Sequence, residues 1–188
     1  MDKLKKEWKS ILSASVFLVV LCIVVTLAVS ASHSATEDRI AMQQERARAQ
    51  AMYSLLPAYR YDEVFMHGAS SYMALAEDGE VLGFIFISDT FGWGGPVQVM
   101  TAIQDRKVLA IAILDAAGET PGLGQNILRE SFTDQFRNIV GTPELVRGAP
   151  TEANHIQALT GATASAKAVV DAVTTALEIY EAQSQLGG

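Results

Sequence analysis

The sequence predicts an α+β fold: a single N-terminal transmembrane helix, then an antiparallel sheet flanked by helices. Three observations predict it. Residues 11–31 read ILSASVFLVVLCIVVTLAVSA without a charge. Four segments between Tyr72 and Leu114 have strand composition and are separated by short turns, and apolar residues recur at three- and four-residue steps from Val169 to Tyr180. A chain of 188 residues holds one modest globular domain and an appendage. The expected division is a cytoplasmic N-terminus, 1–10, a transmembrane helix, 11–31, a stalk helix with its connection, 32–70, and a folded domain, 71–188.

The apolar run comes first. At about 1.5 Å per residue it is long enough to cross roughly 30 Å of hydrocarbon. Its polar residues, Ser13, Ser15, Thr26 and Ser30, can bond back to helix carbonyls. Lys3, Lys5 and Lys6 before it and Val29-Ser30-Ala31 at its end would also suit a cleaved signal. Signal cores are usually shorter, about 7–15 apolar residues, so a retained signal anchor is expected, with membrane lipid as a partner. Lys3, Lys5, Lys6 and Lys9 precede the run, whereas Ser32, His33, Ser34, Glu37 and Asp38 follow it. The excess of positive charge on one side puts the N-terminus in the cytoplasm and everything from about Ser32 outside the cytoplasmic membrane. Trp8 falls where an interfacial aromatic would sit. The one cysteine, Cys22, lies within the run and is read as a small hydrophobe. The net charge of −7 argues against nucleic acid as a partner.

Residues Thr36 to Leu56, rich in Ala, Gln, Arg and Glu, read as a helix that Pro57 ends. Tyr72–Ala76 and Val81–Ser88 flank Asp78-Gly79, a strong tight-turn pair. Val97–Gln104 and Val108–Leu114 flank Asp105-Arg106. Gln125 to Val140 has helical spacing, with Ile127, Leu128, Phe132, Phe136 and Ile139 near one face, and Gly141-Thr142-Pro143 stops it. A polar loop then leads to a final helix from about Ala164 to Gln183, whose Val169, Val170, Val173, Leu177 and Tyr180 face the core.

Chemistry concentrates in three glycine-rich elements. Thr160-Gly161-Ala162-Thr163 opens the last helix, where unpaired N–H groups and the positive end of the helix dipole make a phosphate seat. A hydroxyl there can contact a phosphate or be esterified by one, and it can equally be a plain cap. Gly92-Trp93-Gly94-Gly95-Pro96 lies between strands, and Gly118-Glu119-Thr120-Pro121-Gly122-Leu123-Gly124 leaves the last strand. Loops without Cβ atoms, one bearing a tryptophan, suit a planar ligand, and each also suits a turn that needs positive φ. His33, His67 and His155 are isolated, so no metal site is expected. No Ser/His/Asp arrangement, Walker loop or dinucleotide fingerprint is present, which argues against a self-contained hydrolase or dehydrogenase.

Gly92-Trp93-Gly94-Gly95-Pro96, Glu119-Thr120-Pro121-Gly122-Leu123-Gly124 and Thr160-Gly161-Ala162-Thr163 resemble, in order, the three signatures of the FMN-binding domain. That domain occurs in the G subunit of the Rnf ion-translocating ferredoxin:NAD oxidoreductase and in the C subunit of the sodium-pumping NADH:quinone oxidoreductase. The shortness of the chain makes it more similar to the former. The resemblance implies one covalent FMN, joined through its phosphate to Thr163 by a dedicated flavin transferase outside the cytoplasmic membrane. Gln157 stands where family members often carry an acidic residue. Thr160, Gly161, Ala162, Glu119, Thr120, Gly122, Leu123, Gly124, Trp93 and Gly94 would surround the cofactor. Ala164 to Ala166 would supply N–H groups to the phosphate, and Lys167 would either pair with it or stay solvated.

The resemblance further implies an electron-transfer subunit with no complete activity alone, whose partners are the membrane, flavin and iron–sulfur subunits of the same complex. Two alternatives stand beside it. One is the C subunit of the quinone reductase; the other is a membrane-anchored binding or assembly module without redox activity, its glycine loops purely structural.

Overall fold

The computed structural model describes residues 2–66 and 69–186, with side chains from residue 15 onward except 32, 34–38, 41, 185 and 186. The N-terminal lysines, Trp8, residues 11–14 of the apolar run, the polar Ser32, Ser34, Glu37 and Asp38 after it, and His67 lie outside the described side chains. The chain divides into two compact units, Met1–Arg46 and Ala47–Gly188.

Helix α1 runs from Asp2 to Leu55. The sequence pattern predicts two helices here, and one continuous helix covers both. The reason is local: no glycine or proline occurs before Pro57, whose ring removes a donor and disfavours helix in the residue ahead of it. In the first unit, Phe17, Leu27 and Val29 are all more than half exposed. Among the described residues no helix is long and apolar enough to cross a membrane.

The second unit is built on a six-stranded antiparallel sheet in the order β1-β2-β3-β4-β5-β6. Its strands are β1 (Arg60–Met66), β2 (Ala69–Leu75), β3 (Val81–Phe91), β4 (Pro96–Gln104), β5 (Lys107–Asp115) and the short β6 (Ile139–Val140). β1 falls in the segment read as connection, and it pairs with β2 along its full length, Arg60 opposite Leu75 and Met66 opposite Ala69. Asp105 and Arg106 both take positive φ, 50° and 62°, as a two-residue hairpin between right-twisted strands demands. A two-stranded parallel pair, β7 (Glu144–Val146) with β8 (His155–Gln157), precedes the last helix, α3, Thr163–Leu186.

The alternating side chains of the strands make two cores. On one face Phe86, Val97, Val99, Ile103 and Ile111 pack with Val169, Val173, Ala176 and Leu177 of α3. The rings of Phe84 and Phe86 meet Tyr180 edge-on there. On the other face Ala74, Ile85, Met100 and Ala102 pack with Met52 and Leu56.

Gln125–Val140 is not the single helix its spacing predicts. It forms a 3-10 turn, Gly124–Leu128, a four-residue helix α2, Glu130–Thr133, and a second 3-10 turn, Asp134–Phe136, before β6. Arg129 is extended (φ −75°, ψ 140°) and Asn138 has φ 57°, so the helical hydrogen-bond ladder is interrupted at both ends. The apolar spacing still sets what is buried: Ile127, Phe132, Phe136 and Ile139 lie in the core, and only Leu128 faces out.

The Tyr61 hydroxyl donates to the Leu56 carbonyl at 2.7 Å, tying β1 to the segment that follows α1. Burial raises its pKa above the ordinary 10.0; Tyr53 adds to the rise and a hydrogen bond with the Ala58 backbone opposes it. The unfolded phenol therefore ionises first, so the stability it contributes is complete below pH 10 and is lost as pH rises through the folded value. Tyr61→Phe is expected to flatten the fall in urea midpoint between about pH 9 and about pH 11, at a cost of about 1 kcal/mol below that range from the lost hydrogen bond. Equal alkaline slopes in the two proteins would contradict this assignment.

Candidate functional site

Three segments converge at one end of the sheet: the β3–β4 loop at Gly92–Gly95, the stretch after β5 at Ala116–Gly124, and the start of α3. Their junction is the carboxylate of Glu119, which is 1% exposed. Its Oε2 accepts a hydrogen bond from the Ser165 hydroxyl at 2.6 Å, and its Oε1 accepts one from the Gly94 N–H at 3.2 Å. One buried side chain thus bonds to both of the other segments.

The glycines around it make that burial possible. A Cβ at Gly92 would collide with Glu119 Oε1 and one at Gly124 with Glu119 Oε2, the latter also meeting Ser165 Oγ at 3.0 Å. From sequence, these glycines are assigned to a planar ligand or to positive φ. The structure gives the space at Gly92 and Gly124 to a carboxylate of the protein itself.

Beside this junction lies a cleft of about 420 Å³ lined by Trp93, Glu119, Thr120, Leu123, Gly124 and residues 161–165. Of the residues singled out from sequence, Trp93, Glu119, Thr120, Leu123, Gly124, Gly161, Ala162 and Thr163 line it together. Thr160, Gly122 and Gly94 do not. Gly94 reaches the site through its bond to Glu119, Gly122 turns at φ +76° and offers its carbonyl to Asn126, and Thr160 is exposed. Ser165 and Ala164 line the cleft too; sequence reasoning gives them only N–H groups toward a phosphate and misses the Ser165 side chain. A serine two positions into a helix has an ordinary capping role, and only its distant partner marks it.

Thr163 is the first residue of α3 and is exposed. Gly161, at φ +79°, makes the left-handed step by which the chain turns into the helix. The Ala162 N–H donates to the Leu159 carbonyl and the Ala166 N–H to the Ala162 carbonyl. The N–H groups without an intrahelical acceptor are therefore those of Thr163, Ala164 and Ser165, one residue earlier than expected. Lys167 pairs with Asp171 on the helix surface and lies outside the cleft lining. Among the described residues Glu119 is the one charged side chain lining the cleft, so an anion there would rest on N–H groups, hydroxyls and the helix dipole. Trp93 is 80% exposed and Leu123 48%, giving the same cleft an apolar rim.

The profile of the FMN-binding domain matches residues 92–178, which hold all three segments, and that of the RnfG N-terminal region matches residues 1–55. Together they account for well over half of the chain. The G subunit of the proton-translocating ferredoxin:NAD(+) oxidoreductase complex of Clostridium ljungdahlii is 27% identical over 92% of this chain and 93% of that one. The Na(+)-translocating counterpart of Acetobacterium woodii is 28% identical over 96% of both chains.

The chain combines an RnfG N-terminal region with an FMN-binding domain.

Solved structures similar to this chain include NqrC of Shewanella oneidensis, with TM-score 0.52 and 16% identity over 58% of the chain. The C subunit of the Na(+)-translocating NADH-quinone reductase of Parabacteroides distasonis gives 0.50 and 20% over 60%. The chain spans 55% and 61% of those two proteins' lengths, and at these identities the likeness establishes the fold alone.

Because the Glu119 junction leaves no room at Gly124, Gly124→Ala is expected to destabilise the folded domain by about 1–3 kcal/mol through overpacking. Gly148→Ala, where an added Cβ meets nothing within 4 Å, should stay within about 0.5 kcal/mol of the parent. Urea denaturation of the two variants side by side checks both; equal stabilities would refute the packing argument.

Proposed function

We propose that this chain carries one FMN, joined through its phosphate to the Thr163 hydroxyl, and relays electrons within a membrane-bound Rnf complex. The observation that carries the reading is the place of Thr163: an exposed hydroxyl at the first position of α3, beside free N–H groups and in the same cleft as Trp93 and Leu123. One part of the cleft suits a phosphate and another suits an aromatic ring, which fits a flavin mononucleotide. Among the described residues no cationic side chain lines the cleft, and a covalent bond would retain a phosphate there without one.

In this reading Thr163, Ala164 and Ser165 hold the phosphate, and Trp93 and Leu123 flank the ring. FMN supplies one- and two-electron redox chemistry, while the protein sets its surroundings. Attachment forms the Thr163 Oγ–P bond and breaks an anhydride bond of an activated flavin nucleotide. The nucleotide fragment leaves, and the hydroxyl proton passes to the flavin transferase. Thr120 lines the same cleft.

The reading extends to the membrane. Residues 11–31 are its single span, the N-terminus is cytoplasmic, and the 47–188 unit lies outside. The partners are the remaining membrane, flavin and iron–sulfur subunits, which together move electrons between ferredoxin and NAD and couple this to ion transport.

Thr163→Ala is expected to abolish both the FMN-sized increment in intact mass and the ultraviolet fluorescence of the denatured polypeptide, whereas Thr160→Ala keeps both. Flavin that survives denaturation in Thr163→Ala would assign the acceptor elsewhere. For the topology, protease added to spheroplasts should degrade the 47–188 unit; full protection would place it on the cytoplasmic side.

A further inference from the structure

We propose that Glu119 is a positioning residue for the modification of Thr163, acting through Ser165. This rests on the reading of Thr163 as the flavin acceptor. The carboxylate is buried, and its two oxygens are divided between two tethers, Ser165 Oγ at 2.6 Å and the Gly94 N–H at 3.2 Å. Ser165 lies two residues beyond Thr163, in the first turn of α3. Fixing the Ser165 side chain therefore fixes the rotation and depth of the turn that presents the Thr163 hydroxyl to the cleft. The Gly94 bond fixes the same carboxylate to the loop that carries Trp93. The acceptor hydroxyl and the aromatic rim are thereby referred to one point.

The chemistry of the junction requires an acceptor at both oxygens or an equivalent exchange of roles. Glutamine meets this: its carbonyl can accept from Gly94 while its amide donates to the Ser165 hydroxyl. Alanine meets neither requirement. The negative charge is then secondary for positioning, and the hydrogen-bonding geometry is what counts. A group that only filled space would also tell glutamine from alanine, so Ser165→Ala, which leaves the Glu119 side chain in place, is what separates hydrogen bonding from packing; misplacement of a reacting atom by about 1 Å can cost about a hundredfold in rate.

The experiment is transferase-catalysed flavin attachment to the full chain in detergent, followed by intact mass and by fluorescence of the denatured band. Rates are taken as a function of acceptor-chain concentration for the parent, Glu119→Gln, Glu119→Ala and Ser165→Ala. The expected result is a limiting rate lowered at least about tenfold in Glu119→Ala and several-fold in Ser165→Ala, with the half-saturating concentration unchanged and Glu119→Gln close to the parent. If Glu119→Ala does not fold, Ser165→Ala decides, because its remaining carboxylate keeps the Gly94 tether. Attachment to folded Ser165→Ala at the parental limiting rate would overturn the proposal, as would a Glu119→Gln as slow as the alanine variant. A parent chain that takes up no covalent flavin would instead sink the functional reading on which the proposal rests.

Discussion

The site depends on burying one carboxylate. Taking an ionised group out of water costs several kcal/mol unless hydrogen bonds and favourable dipoles replace its hydration. Glu119 meets that cost with the Ser165 hydroxyl, the Gly94 N–H and its place beside the N-terminus of α3, where a negative charge gains about 0.3–2 kcal/mol. The remaining requirement is room. Glycine at 92 and 124 leaves the space that the carboxylate oxygens occupy, and the loop at Gly94 and Gly95 packs directly against Gly118. Two of the three glycine-rich segments are therefore shaped by an internal contact first, and the cleft forms at its edge.

Much of the fold was legible because strand and turn signals are local. Asp78-Gly79 and Asp105-Arg106 named their hairpins, and the period of Val169, Val173 and Leu177 named the face of α3 that is buried. Beyond the continuous α1 and the β7–β8 pair within the polar loop, two elements differ from the sequence reading for physical reasons. β1 escaped because Arg60–Met66 mixes charges with apolar residues on an edge strand, where only one side is paired and one face is half covered. The stretch 125–140 has the apolar spacing of a helix, but burial of Ile127, Phe132 and Phe136 is equally met by short 3-10 turns, and nothing in the pattern reports an extended Arg129.

At the site, the sequence motifs single out loops that the structure brings together at one cleft, and part of their glycine content answers to the Glu119 carboxylate. Hydroxyl, tryptophan and glycine were visible one by one. That Glu119 would be buried, and would reach a serine 46 positions away, is a long-range fact no local pattern carries. Lys167, the nearest cation in sequence to the helix start, was the natural candidate for pairing with a phosphate. Its partner is Asp171, one turn along the same helix, the ordinary arrangement for a solvated surface.

The strands from β1 to β5 each neighbour the next in sequence and close through short turns, but the Glu119–Ser165 contact must wait for the chain's final helix. During synthesis, a ribosome-bound fragment with its meander already paired would still lack the helix turn that carries Thr163 and Ser165. On the proposed reading, attachment would therefore be ordered in time, going onto chains that have completed folding.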